Sequence, residues 1–451
     1  MRAGATTLVV GELEIARRTC AMIEASGHTV VHLFAPTDAD LREAIAGGVE
    51  AIAVLVRGDV IALRYALLIE HLMPGVRLVV TLFDRTVSDQ LVQAVPNCRV
   101  MSPADVAVPS IVGACLSEVE VADPIVAVDQ HGEQAVVIRN GPAGESVSPW
   151  RSRPSRLVSA RNAFLSQVRP HDLTTTILLT GFFGLLVLLG ADWVIAVTAL
   201  QEPPARAFFA ATRVVATVGP GAADNAPSWY LIFSALSMLL TIGLTALFTA
   251  GVLNRLRSSR SVGLIGTRTV PTRDHVVVVG LGQVGLRLCT QLRQLGIAVV
   301  AVERDPRAAN LRLAKLARVP VLIGHAEDRA VLGKLSLHRA RALAAMGADE
   351  LDNVEVAIAA LAVCPEVRIV LRAGESDVIA ETRSLFHIGE VRDVSALTAL
   401  AVTLSLFGQP WQVVYPSGHD LAAFPTSPRS EQLARLTGPT RCSCRSAETS
   451  S

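Results

Sequence analysis

Two long apolar runs near the middle of the chain limit its fold more than any other feature. Residues 174–200 read TTTILLTGFFGLLVLLGADWVIAVTAL and residues 229–253 read WYLIFSALSMLLTIGLTALFTAGVL. Asp192 is the one charge in the first run, and the second has none. Each run exceeds the roughly 20 residues that carry a helix across a hydrocarbon core of about 30 Å. Two buried core helices are the soluble alternative, but runs this long and this close together are rare in soluble folds. The expectation is two membrane-spanning helices. Of 451 residues, 51% are hydrophobic and 18% charged, which excludes a mainly disordered chain and a coiled coil.

Arginine placement sets the expected topology. Arg151, Arg153, Arg156, Arg161 and Arg169 precede the first run, and Arg255, Arg257, Arg260, Arg268 and Arg273 follow the second. Between the runs, Glu202 and Asp224 offset Arg206 and Arg213. Positive charge stays on the cytoplasmic side, so both termini are expected inside a plasma membrane crossed twice, with the short connection outside. Asp192 either faces a water-filled vestibule or a partner arginine, or marks the interface. The overall charge of +1 provides no field to attract nucleic acid. Cys20, Cys98, Cys115, Cys289 and Cys364 are scattered singly through apolar segments, as in a reduced core. Cys442 and Cys444 lie in a Ser/Arg-rich tail, where a metal pair and an incidental pair are both open, and no metal site is assigned.

The connection reads QEPPARAFFAATRVVATVGPGAADNAPS. Pro203 and Pro204 can open a helix, and Ala205 to Val215 would form a short apolar one. Thr217-Val218-Gly219-Pro220-Gly221 follows. A half-helix and a glycine-containing loop held between two spans have the pattern of a re-entrant pore loop over 203–224, in which backbone carbonyls replace an ion's hydration shell. This segment resembles the pore module of two-span potassium channels, whose filter is usually Thr-Val-Gly-Tyr-Gly. Thr217, Val218, Gly219 and Gly221 match, and Pro220 stands in the tyrosine position. The resemblance implies a selectivity filter at 217–221, K+ as the permeant ion, and a homotetramer in the lipid bilayer. It also implies a gating hinge at Gly243, with an incidental packing glycine as the equal alternative. Pro220 and Arg213 depart from the pattern and bear on K+/Na+ selectivity.

After the pore segment comes HVVVV (275–279), then Gly280-Leu281-Gly282-Gln283-Val284-Gly285, an amphipathic stretch, and a second strand ending at Glu303-Arg304-Asp305. Strand, G-x-G-x-x-G, helix, strand and acid in this order make the dinucleotide fingerprint. The first two glycines give the tight turn and the close approach of a pyrophosphate, the third lets helix and strand pack, and the acid takes ribose hydroxyls. A fold retained without its ligand is the alternative. The segment from Gly280 to about Arg372 resembles the regulator-of-potassium-conductance (RCK) domain, also found in Trk-type uptake subunits. That resemblance implies NAD or NADH as ligand, with an adenine nucleotide also open. It assigns His325, Ala326 and Glu327 to the site, and matches Asp352, Asn353 and Arg372. His325 with Glu327 and Asp328 is read either as a cation site or as a polar loop.

Residues 5–118 repeat the strand–helix rhythm, but Gly11-Glu12-Leu13-Glu14-Ile15-Ala16 lacks the second and third glycines. Glu12 and Glu14 would repel a phosphate there, and His32-Leu33-Phe34 offers no acid. The segment reads as a second Rossmann-like domain without a nucleotide site. The expected fold class is mixed, with two α/β Rossmann-like (RCK) domains flanking an α-helical pore module. The boundaries fall at 1–118, 119–173 (a hairpin and basic linker), 174–254, 255–272 (linker), 273–405 and 406–451 (a turn-rich, disordered tail). No Tyr-x-x-x-Lys pair or substrate domain supports an oxidoreductase, so no catalytic residues are expected. The functional expectation is a nucleotide-gated cation channel, with a non-conducting membrane-bound nucleotide sensor as alternative.

Overall fold

The computed structural model describes residues 6–83, 85–116, 125–128, 135–141, 144–149, 173–218, 227–257, 264–265, 271, 273–374, 388–417 and 420–424. The chain divides into two units, one of residues 156–264 and one of residues 1–155 with 265–451.

The second of these holds two parallel sheets. The first lobe runs β1 (Thr6–Val10), α1 (Glu14–Ala25), β2 (Thr29–Leu33), α2 (Asp38–Ala46), β3 (Ala51–Val54), α3 (Asp59–Leu72), β4 (Arg77–Thr81), α4 (Arg85–Ala94), β5 (Cys98–Met101) and α5 (Pro103–Leu116). Its strands lie in the order β2-β1-β3-β4-β5. Strand β3 is buried at every position, as expected for a parallel strand covered on both faces. The segment after this lobe reads as a hairpin in sequence. In the structure it is a three-stranded antiparallel sheet of β6 (Ile125–Val128), β7 (Ala135–Gly141) and β8 (Gly144–Pro149).

The helical unit carries α6 (Leu173–Thr198), α7 (Pro204–Val215) and α8 (Ser228–Arg257), followed by the two-residue β9 (Leu264–Ile265). Helices α6 and α8 are long and apolar enough to cross a membrane. They touch through glycines. A Cβ on Gly181 would lie 2.7 Å from the Phe248 amide nitrogen, and one on Gly251 2.7 Å from the Leu178 side chain. Small residues at such a crossing let backbones approach in lipid, where no hydrophobic force drives helix pairing.

The second lobe runs β10 (His275–Val279), α9 (Gln283–Gln294), β11 (Ala298–Glu303), α10 (Leu311–Leu316), β12 (Val321–Ile323), α11 (Arg329–Gly333), β13 (Ala340–Ala345), α12 (Glu350–Val363), β14 (Ile369–Ala373), β15 (Glu390–Asp393) and α13 (Val394–Leu406). The second lobe's own strands lie in the order β15-β14-β13-β10-β11-β12. Read from β12 to β15 this is the 3-2-1-4-5-6 order of the dinucleotide-binding fold, with its reversal between β10 and β13. Two stretches that the sequence places in the tail, β16 (Val413–Ser417) and β17 (Asp420–Phe424), pair as antiparallel strands. Tyr415 in β16 is fully buried.

The lobes are not separate domains. Helices α5 and α13 are apolar all round, so neither can lie on a surface. Helix α5 leaves the first lobe and packs on α9, β13, β14 and β15 of the second. In return, α13 leaves the second lobe and packs on α1, β3 and β4 of the first. Twelve of the fourteen residues of α5 and twelve of the thirteen of α13 are buried. One hydrophobic core therefore runs through both lobes. Arg18 pairs with Asp393 and Arg287 with Asp105 across the junction, and the Arg77 guanidinium donates to the Leu406 carbonyl at 2.7 Å.

Candidate functional site

The fingerprint glycines take three different geometries, each with its own cause. Gly280 ends β10 with φ +88°, a left-handed angle that favours glycine. A Cβ on Gly285 would lie 1.9 Å from the Gly280 carbonyl oxygen, so the third glycine is what lets α9 pack against the turn. Around Gly282 a Cβ would meet nothing within 4 Å. That open space at the start of α9 is where a ligand can approach the backbone. Gly282 is the N-cap and offers no side-chain acceptor, so the first amides of α9 stay available to an anion.

Side chains then brace the turn. The Glu303 carboxylate accepts the Leu281 amide at 2.7 Å and the Asp305 amide at 3.0 Å. Asn310 donates to the Leu281 carbonyl at 2.8 Å. Across the reversal, Asn353 accepts the Gly347 amide at 2.8 Å and donates to the carbonyls of Gly347 and Arg372, at 3.1 and 3.2 Å. Glu350, buried at the start of α12, accepts the Gly374 amide at 2.7 Å. Asn310 and Glu350 carry no signal in the sequence, because their partners are backbone groups far along the chain.

Together these elements line a cavity of about 880 Å³ at the C-terminal ends of β10 and β13. Leu281, Gln283, Val284, Arg304, Asp305, Ala326 and Glu327 line it with Gly280, Gly282 and Glu303. Gly285 lies behind the turn. His325 is outside the lining and turns to Glu327, 3.0 Å away. Asp352, also on the wall, pairs with Arg304 at 3.3 Å. Among the described residues no group of three or more His, Cys, Asp or Glu side chains is arranged to hold a metal.

The sequence gives no sign of the opposite wall. Glu12, Leu13, Glu14, Arg17, Arg57 and Phe83 of the first lobe line the same cavity. In the first lobe the corresponding turn packs closely on the backbone after β3. Gly11 has φ +148°, and a Cβ there would lie 2.0 Å from the Leu55 carbonyl oxygen. The Glu12 carboxylate accepts the Arg57 amide at 3.1 Å, taking an N–H that an anion would need. Glu14 pairs with Arg18 at 3.1 Å and Arg17 at 3.5 Å.

Residues 276–386 match the TrkA-N domain. The fingerprint turn, Glu303, Asn310, Asn353 and Arg372 all fall inside this TrkA-N segment, and the first lobe lies outside it. A curated relative, potassium channel protein 1 of Methanocaldococcus jannaschii, is 22% identical over 174 residues, covering 37% of this chain and 52% of the relative. The chain thus spans about half the length of that relative. A formate-dependent phosphoribosylglycinamide formyltransferase of Nitratidesulfovibrio vulgaris is 32% identical over 68 residues, 15% of this chain and 17% of the relative. Among solved structures, "GsuK channel bound to NAD" has a TM-score of 0.48 and 12% identity, covering 90% of this chain and 64% of that one.

In the helical unit, α7 ends at Ala216, where Thr217 has φ +60°. The Thr217 amide donates to Val214 at 2.9 Å and the Val218 amide to Arg213 at 3.0 Å. This pair of bonds is a Schellman cap, with threonine where glycine usually sits. Gly219, Pro220 and Gly221 lie outside the described residues. Asp192 is fully buried beside Tyr230. Gly243 faces open space, and a Cβ there would meet nothing within 4 Å.

Proposed function

We propose that the chain is one subunit of a nucleotide-gated cation channel with K+ as the permeant ion. The observation that carries this reading is the cavity at the strand-order reversal of the TrkA-N segment, with the first amides of α9 open to an anion and Glu303 beside the turn. The dinucleotide-binding role of that geometry supports NAD or NADH as the ligand, seated on Gly280–Val284 with Glu303 toward a ribose. The similarity to potassium channel protein 1 of Methanocaldococcus jannaschii supports potassium as the ion.

Two apolar helices per chain cannot enclose a pore alone, so the reading requires several copies, taken as four, around an axis in a lipid bilayer. Residues 217–221 would form the filter, with Gly243 on α8 as the hinge. Ligand in a cavity with walls from both lobes favours the lobe arrangement that fits it. It shifts gating by the difference in its affinity for the two arrangements.

The test is K+ and Na+ flux from liposomes holding the purified protein, with and without NAD+, NADH or ATP. Flux that a nucleotide modulates and Gly219→Asp abolishes is the expected result. No flux under any condition, with nucleotide still bound, overturns the channel and leaves a membrane-bound nucleotide sensor.

A further inference from the structure

The carboxylates that spoil the first lobe as a nucleotide site face the nucleotide site of the second. The cavity walls carry eight carboxylate residues and four arginines, so their formal charge is strongly negative. Two of those carboxylates, Glu12 and Glu14, belong to the first lobe and stand on the wall opposite the Gly280 turn. Both are held in place, Glu12 by the Arg57 amide and Glu14 by Arg17 and Arg18.

Arg17 and Arg57 stand beside Glu12 and Glu14 on that wall, yet the lining as a whole is net negative, and such a lining acts differently on the nucleotides that a glycine turn can accept. In a dinucleotide the phosphates are internal and each carries a single charge. A mononucleotide ends in a terminal phosphate group, which carries about 1.5 to 2 negative charges near neutral pH. The turn can neutralise an internal pyrophosphate with its backbone amides and the helix end. A terminal phosphate extending from that turn meets carboxylates instead. On the second lobe's side, Glu303 disfavours a phosphate on the ribose it faces.

We infer that Glu12 and Glu14 are specificity-determining residues, which select a dinucleotide with only an internal pyrophosphate and reject nucleotides that carry a terminal phosphate group. The inference rests on the nucleotide-binding reading of the Gly280 turn. It gives the first lobe a role as the selective wall of its neighbour's site.

The test is a set of binding isotherms on the purified full-length protein in detergent, in metal-free buffer, with NAD+, NADP+, ADP and ATP. The wild type should bind NAD+ tighter than ADP, and ADP tighter than ATP. The Glu12→Gln/Glu14→Gln pair should narrow the ATP-to-NAD+ ratio of Kd values by roughly tenfold, since each lost carboxylate removes a repulsion that grows with ligand charge. Arg17→Gln should widen it. A change that merely loosened the fold would weaken all four ligands together and leave the ratio alone. The inference is overturned if the wild type prefers ATP, or if the ratio stays within twofold in both variants. Gly282→Asp separates the two levels of the argument. If binding persists in that variant, the ligand is not on the Gly280 turn, and the nucleotide reading of the turn falls together with this inference. If no nucleotide binds the wild type, both fall as well.

Discussion

Gly282 and Gly285 lie three residues apart in one loop, and the structure predicts opposite outcomes for replacing them. At Gly285 a methyl group would sit 1.9 Å from the Gly280 carbonyl oxygen, so something must move. That oxygen belongs to a turn fixed by the Gly280 amide on Val302 at 2.9 Å and the Leu281 amide on Glu303. The strain has no flexible side chain to absorb it. Overpacking of this kind costs about 1–3 kcal/mol, and for lobes of this size each kcal/mol lowers the melting temperature by about 2–4 °C. Gly282→Asp places its Cβ in open space, and an aspartate at an N-cap is favourable. Its stability should match wild type within about 1 kcal/mol. Its carboxylate, however, would block the path proposed for the pyrophosphate.

The assay is thermal unfolding of the full-length protein in detergent, with and without NAD+ at about 100 times its Kd. Saturation at that level stabilises the wild type by about 2.7 kcal/mol, an upward shift of about 5–10 °C. Gly285→Ala should melt lower without ligand, and Gly282→Asp should melt normally but show no ligand shift. A ligand shift retained in Gly282→Asp, or normal melting of Gly285→Ala, would refute the assignment of roles to the two glycines.

Three further outcomes can be checked separately. Thr217→Gly should stabilise the α7 cap by about 1 kcal/mol, because a β-branched residue is strained at its left-handed angle and glycine is not; unfolding in detergent reads this. His275 is fully buried, and burial moves its pKa below the usual 6.5. The unfolded chain then binds a proton that the fold refuses, so stability is flat above about pH 6.5 and falls below it; His275→Asn should remove that part of the fall. Burial raises the Cys20, Cys98 and Cys115 thiols to about 12 and raises Cys289 as well. In a Cys442→Ser/Cys444→Ser background, half-buried Cys364 should therefore take a maleimide first at neutral pH, as mass spectrometry would locate.

Patterns of short range are legible in the sequence. HVVVV followed by three spaced glycines and Glu303 foretells the turn, because strand, loop and helix are adjacent there. The two long apolar runs foretell α6 and α8. What cannot be read depends on contacts made far along the chain. Gly11-Glu12-Leu13-Glu14 reads as a turn without the second and third glycines, but nothing local shows that it faces the Gly280 turn, which comes about 270 residues later. Asn310 and Glu350 brace backbone groups whose partnership only the folded sheet creates. The polar, proline-containing neighbours of Tyr415 hide strands β16 and β17, whose burial comes from packing and not from their own pattern. Helices α5 and α13 show as apolar stretches without a periodic face. Being apolar all round is itself the clue to their burial, though not to the sheet each covers.

The exchange of α5 and α13 also sets a schedule for biosynthesis. The first lobe is complete to Leu116 when it leaves the ribosome, but the helix that covers one side of its sheet begins at Val394. At about 5–20 residues per second, the intervening chain takes roughly 15–55 s to make. During that time the two apolar segments destined for α6 and α8 also emerge. For that interval the nascent chain displays the face of β3 and β4 bare, along with α5, which has no sheet to cover. A chaperone or the insertion machinery would meet this half-covered lobe on every round of synthesis. Quality control of the protein is thereby tied to whether the last third of the chain arrives intact.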